Sequence, residues 1–174
     1  SVASGYYNIG YVYFAQGDYS KALEYFEEVL KIRLSVYGEN HSRVASVYND
    51  IGEIYSVQGD DFKALDYFKK SLKIVLSVYG ENHSQVSSIY DHIGEIYFAQ
   101  KDYSKALYYF EESLKIRLSL FGENHPEVAL SYYSIGSLYI IQGDKSKALN
   151  YYEKSLKIRL SVYGENHPLT KEIM

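Results

Sequence analysis

A chain of 174 residues with 47% hydrophobic composition has ample apolar material for a core, either as one domain or as a short array. Its 18 Lys and Arg against 22 Asp and Glu leave a net charge of −4, the wrong sign for neutralising phosphates, so no nucleic-acid partner is expected. The absence of Cys removes disulfides and thiolate chemistry and suits a reducing, cytoplasmic setting. The first residues carry no basic leader, and nowhere do ~18 apolar residues run together, so neither a signal peptide nor a membrane span is expected.

Self-similarity organises everything else. YGENH or FGENH recurs with its Gly at Gly38, Gly80, Gly122 and Gly164, a step of 42 residues. The Gly of IG at Gly10, Gly52, Gly94 and Gly136, and the Ala of KAL at Ala22, Ala64, Ala106 and Ala148, keep the same step. The chain therefore reads as a single repeat domain over 1–174, with units at about 3–44, 45–86, 87–128 and 129–170 and then the truncated start of another helix. Within a unit the apolar residues fall twice into helical spacing, as Val44, Val47, Tyr48, Ile51 and Tyr55 do in a first helix, A. Ala22, Leu23, Phe26, Val29 and Leu30 do the same in a longer second helix, B; Tyr25, Ile32 and Val36 add another apolar strip, the mark of a helix with neighbours on two sides.

In chain order this predicts helices over 2–15, 19–37, 42–57, 61–79, 84–99, 103–121, 126–141 and 145–163, and no strand. QGD turns separate A from B in units one, two and four, whereas unit three has Lys101 in place of the Gly. GENH ends helix B with a Gly suited to a left-handed cap, and Pro126 and Pro168 stand at the first turn of the next helix, where the missing N–H has no intrahelical partner. A Gly within helix A is worth ~1 kcal/mol less than Ala, so its recurrence implies a close approach of helix B.

Tyr6, Ile9, Gly10, Tyr13, Ala22 and Phe26, repeated as Tyr48, Ile51, Gly52, Tyr55, Ala64 and Phe68, resemble the tetratricopeptide repeat. The 42-residue period and phrases such as GENHPEVALSYYSIGSLYIIQGD are similar to the longer repeat found in kinesin light chains. The resemblance implies an all-α, right-handed superhelical solenoid of four antiparallel helix-turn-helix repeats, with the A helices on the concave wall. It departs from the family pattern where the Pro that closes helix B is replaced by Leu34, Leu76, Leu118 and Leu160.

No phosphate-binding Gly loop, paired-His zinc motif or nucleophile elbow is present, so neither an enzyme nor a cofactor is expected. His41, His83, His125 and His167 fall one per loop; packed helices sit ~8–10 Å apart and zinc needs nitrogens at ~2 Å, so they read as helix starts and not as a metal site. Of the 22 Tyr, fifteen repeat with Tyr6, Tyr13, Tyr25 and Tyr37 and read as framework, whereas Tyr7, Tyr11 and Tyr133 stand outside that set. Mixed charges on helix B, such as Glu24, Glu27, Glu28, Lys31 and Arg33, read as a solvated outer face.

Residues shared by all units serve stacking, so a binding surface has to come from positions that vary. The concave positions that the resemblance implies are Ser4, Tyr7, Asn8, Tyr11 and Phe14; Ser46, Asn49, Asp50, Glu53 and Ser56; Ser88, Asp91, His92, Glu95 and Phe98; and Leu130, Tyr133, Ser134, Ser137 and Ile140. Tyr7, Tyr11, Asn49, Asp50, Glu53, Asp91, His92, Glu95, Tyr133 and Ser137 are the candidate peptide-binding residues. No Lys or Arg falls at these positions, so an acidic centre with apolar ends is expected, open to a basic or amphipathic segment of a protein partner. A solvated acidic face, on a structural spacer in a longer array, is the other reading. Apolar residues on both sides of the last helix B and on the first helix A, with no polar cap, further predict head-to-tail self-association.

Overall fold

A computed structural model describes residues 2–173, which hold helices and no strand. The chain forms two compact units, one reaching to Gly80 and the other starting at Glu81. The first contains α1 (Val2–Ala15), α2 (Tyr19–Tyr37), α3 (Ser42–Val57) and α4 (Asp61–Tyr79). The second contains α5 (Ser84–Ala99), α6 (Tyr103–Phe121), α7 (Pro126–Ile141), α8 (Lys145–Tyr163) and the short α9 (Pro168–Lys171). The bounds of α1 to α8 are those expected from the periodicity.

Capping explains why the bounds are so regular. Asp18, Asp60, Asp102 and Asp144 each accept, through Oδ1, the N–H of the residue three further on, satisfying a donor that the start of a B helix leaves orphaned. His41, His83, His125 and His167 do the same for the A helices through Nδ1, which accepts the N–H two residues on. Their rings also stack on the preceding aromatic, as Tyr37 on His41 at 4.5 Å and Phe121 on His125 at 4.4 Å. The loop histidines are therefore helix starters, as expected. At the A–B turn, Gly17, Gly59 and Gly143 have φ between 76° and 83°; Lys101 occupies the same left-handed region at φ 63° without the freedom of Gly.

Each helix pair closes on the recurrent Gly of helix A. A Cβ at Gly52 would lie 2.8 Å from the Phe68 ring, at Gly94 2.7 Å from Phe110, and at Gly136 2.8 Å from Tyr152. In the first unit Ala22, Phe26 and Val29 of α2 pack with Val47, Ile51 and Ile54 of α3. In the second, Ala106, Phe110 and Leu114 of α6 pack with Val128, Ala129, Ile135 and Leu138 of α7 and with Ala148 and Ile158 of α8. Each large side chain so buried contributes about 1.5–3 kcal/mol.

A tyrosine ladder covers this core. Tyr13 stacks on Tyr25 at 5.6 Å, Tyr55 on Tyr67 at 5.7 Å, Tyr97 on Tyr109 at 5.7 Å and Tyr139 on Tyr151 at 5.6 Å. Lys21, Lys63, Lys105 and Lys147 lie within about 5 Å of the first ring of each pair and bridge to the capping Asp. These stacked pairs hold each helix B against its helix A.

Candidate interaction face

In the first unit the variable positions of α1 and α3 form one polar cluster. Tyr7 packs on Phe26 at 5.5 Å, and its hydroxyl donates to Asp50. Burial, opposed by that hydrogen bond, pushes the Asp50 carboxyl up to about 7, and its second oxygen, Oδ2, is buried with no hydrogen-bond partner. The Tyr7 hydroxyl is driven well above its ordinary value by burial and then by the Asp50 charge. Asn49 Nδ2 donates to Glu53 Oε1 at 2.6 Å; burial raises the Glu53 carboxyl against this bond. Tyr11 lies apart, 57% exposed, with its ring 6.3 Å from Phe14.

Arg33 reaches this cluster from α2. Its guanidinium lies 4.9 Å from the centre of the Tyr7 ring and donates to the Arg43 carbonyl at 2.6 Å. The expectation of a solvated outer face fails for this residue: Arg33 stands seven residues after Phe26 and four after Val29, on the buried side of α2, and is half-buried itself.

The equivalent arginine of the second unit, Arg117, is 4% exposed and clamps three groups. It bridges to Asp91 at 2.7 Å and to Glu127 at 3.0 Å, and donates to Ser131 Oγ at 2.7 Å. The expectation that no cation neutralises the acidic positions is therefore corrected for Asp91. The cation comes from helix B, outside the A-helix positions where it was sought. Burial raises the Asp91 carboxyl against the pull of Arg117, and burial lowers His92 against the pull of Glu95.

Tyr133 and Ser137 sit on α7. The Tyr133 hydroxyl donates to Glu172 at 3.1 Å, and Arg159, also bridged to Glu172 at 3.1 Å, lies 4.7 Å from the Tyr133 ring centre. Arg159 further donates to the Leu169 carbonyl, tying α8 to α9. Ser137 Oγ donates to the Tyr133 carbonyl at 3.0 Å and is 3.0 Å from the Tyr152 hydroxyl. Between α5 and α7, Ser134 and Ser137 leave a cleft of about 220 Å3 against Glu95, Phe98, Phe110 and Tyr133. Sequence reasoning missed the role of the arginines at 33, 117 and 159; the available signal was their recurrence in the first, third and fourth repeats at the position where the second has the buried Val75.

Among the described residues no group of His, Asp and Glu is arranged to hold a metal ion, and no helix is long and apolar enough to cross a membrane. The pattern of the tetratricopeptide repeat matches residues 1–76, 43–119 and 85–161, together nearly the whole chain. The chain belongs to the tetratricopeptide repeat family. BtubC (BKLC) of P. vanneervenii superposes with a TM-score of 0.84 at 27% identity, over 95% of this chain and 66% of that one. The kinesin-light-chain-like protein of Podosopora anserina, built of nearly identical TPR-like repeats, gives 0.81 at 16% identity over 98% of this chain and 81% of its own. The apo form of RapI gives 0.83 at 18% identity over 99% of this chain and 60% of its own. No curated protein matches the chain in sequence. The fold is thus that of an all-α tetratricopeptide solenoid of the kinesin-light-chain-like variety, and the chain is a protein-interaction or scaffold module.

Proposed function

We propose that this module binds a basic or amphipathic protein segment on its A-helix face, the concave wall that the family resemblance implies, without catalysis of its own. The observation that carries the reading is the charge of that face. In the second unit Asp91, Glu95, Glu127 and Glu172 stand with Arg117 and Arg159, two carboxylates in excess, beside the aromatic rings of Phe98 and Tyr133. In the first, Asp50 and Glu53 stand with Arg33. The net charge of −4 supports a cationic protein partner over nucleic acid, and the lack of Cys supports a cytoplasmic setting. Fluorescence anisotropy with a lysine-rich amphipathic peptide and its glutamate-rich counterpart tests the reading. The basic peptide is expected to bind, and to weaken as salt rises from ~0.01 M to ~1 M and the screening length falls from ~30 Å to ~3 Å. Equal binding of both peptides, or none, contradicts it.

A second reading, a self-stacking segment of a longer array, is favoured by one observation. Val2 is 66% exposed and Ile9 41%, whereas Val44, Val86 and Val128, and Ile51, Ile93 and Ile135, are at 0%. On α8, Leu149 is 58% exposed where Leu23 and Leu107 are half-buried. These are the faces that pack within each unit, so they are complementary to one another and would join copies head to tail. Sedimentation velocity is expected to show concentration-dependent oligomers; a strict monomer at high concentration contradicts this second reading.

A further inference from the structure

The cleft between α5 and α7 has a chemistry more specific than an acidic face. Phe98, Phe110 and Tyr133 line its walls, Ser134 and Ser137 its α7 side, and Glu95 its exposed edge. The walls are held from behind. The Phe110 ring packs on Gly94, 2.7 Å from where a Cβ would stand, Phe98 packs on Tyr103 at 5.9 Å, and Tyr133 is fixed through its hydroxyl by Glu172 and over its ring by Arg159. At about 220 Å3 the cleft is smaller than the ~300–1,000 Å3 sites that enclose drug-sized ligands, and it suits a single side chain.

We propose that this cleft is the specificity pocket for one lysine side chain of the bound segment, an inference that rests on the proposed function and names a subsite of it. Lysine fits on two counts. Its flexible four-carbon stem buries against apolar walls while the ammonium stays at the polar edge. There the one carboxylate of the lining, Glu95, meets the ammonium, a compact point charge. Aromatic faces add attraction for the cation.

The test is a 15N and 13C NMR titration of the whole chain with N-acetyl-lysine methylamide and with the norleucine analogue, which keeps the stem and lacks the ammonium. Shifts are expected at Phe98, Phe110, Tyr133, Ser134 and Ser137, with the lysine compound binding about tenfold tighter than norleucine. Glu95→Lys, which adds a cation at an exposed helix position, should abolish that preference, while Glu111→Lys, an equal charge change on α6, should leave it intact; circular dichroism confirms that both fold. Equal affinity of the two compounds, shifts confined to other residues, or an unchanged preference in Glu95→Lys overturns the subsite. If the basic amphipathic peptide binds the protein but Glu95→Lys leaves its affinity untouched and the cleft residues unshifted, the subsite fails and the broader reading stands. If the lysine amide fills the cleft and no basic peptide binds, the broader reading fails and the subsite stands.

Discussion

The two units place different side chains on one scaffold. Tyr11, Phe14, Phe26, Asn49, Asp50 and Glu53 of the first stand where the second has Glu95, Phe98, Phe110, Tyr133, Ser134 and Ser137. Both keep the aromatic floor of Phe14 and Phe26 or of Phe98 and Phe110. In the first, polar groups stand above it and bond one another, Tyr7 to Asp50 and Asn49 to Glu53. In the second, two serines leave a cleft. The arginine beneath follows suit: Arg33 meets a ring and a carbonyl, Arg117 two carboxylates and a hydroxyl. Repetition of the framework leaves these positions free to vary, so chemistry changes from unit to unit while packing does not.

The largest effect that breaks the comparison is expected at the arginines. Arg117→Ala strands the buried Asp91 beside Glu127 and should destabilise by about 3–5 kcal/mol in urea unfolding. Arg33→Ala removes one ring contact and one carbonyl bond, about 1 kcal/mol. Equal losses would show that the carboxylate clamp adds nothing.

The next effect belongs to Asp50. With a folded value of about 7 against the ordinary 3.8, it holds a proton that the unfolded chain has already released. Its contribution is therefore complete below the unfolded value and is lost as pH rises through about 7. Asp50→Asn should remove that loss and be more stable than the natural chain above neutrality by up to about 4 kcal/mol, at ~1.36 kcal/mol per unit. Glu53 and Asp91, raised in the same direction, leave a shallower slope. Urea unfolding at about pH 5 and about pH 8 measures both chains.

Smaller effects test the shared framework. Gly94→Ala drives a methyl into the Phe110 ring and should cost about 1–3 kcal/mol. Gly10→Ala, whose nearest neighbour is 3.2 Å away, should cost less. Lys101→Gly relieves the left-handed backbone of the α5–α6 turn and should stabilise by about 0.5–1 kcal/mol, with Gly59→Lys losing a similar amount in the first unit; thermal unfolding reads both.

Helix bounds, caps and close-packing glycines were legible because the repeat shows each of them four times. His41 and its equivalents, and Gly52 against Phe68, sit where periodicity placed them. The interaction face was legible only as a set of positions. That Arg117 would reach Asp91 depends on a side chain crossing from helix B to helix A, 26 residues away in sequence, and charge counted along helix A alone missed it. The Asp50 cluster was hidden for a similar reason, since Tyr7 and Asp50 belong to different repeats and meet only when α1 and α3 stand side by side. The cleft arises from small residues, Ser134 and Ser137, which carry no chemical signal of their own.

The central claim, a carboxylate-bearing face that grips a basic segment, is tested most directly by isothermal titration of the lysine-rich peptide into the natural chain and into the Glu53→Lys, Glu95→Lys double variant at low salt. The account predicts that the reversal lowers affinity at least about tenfold, because rim charges are weakly screened there. Unchanged affinity in a folded double variant would contradict it.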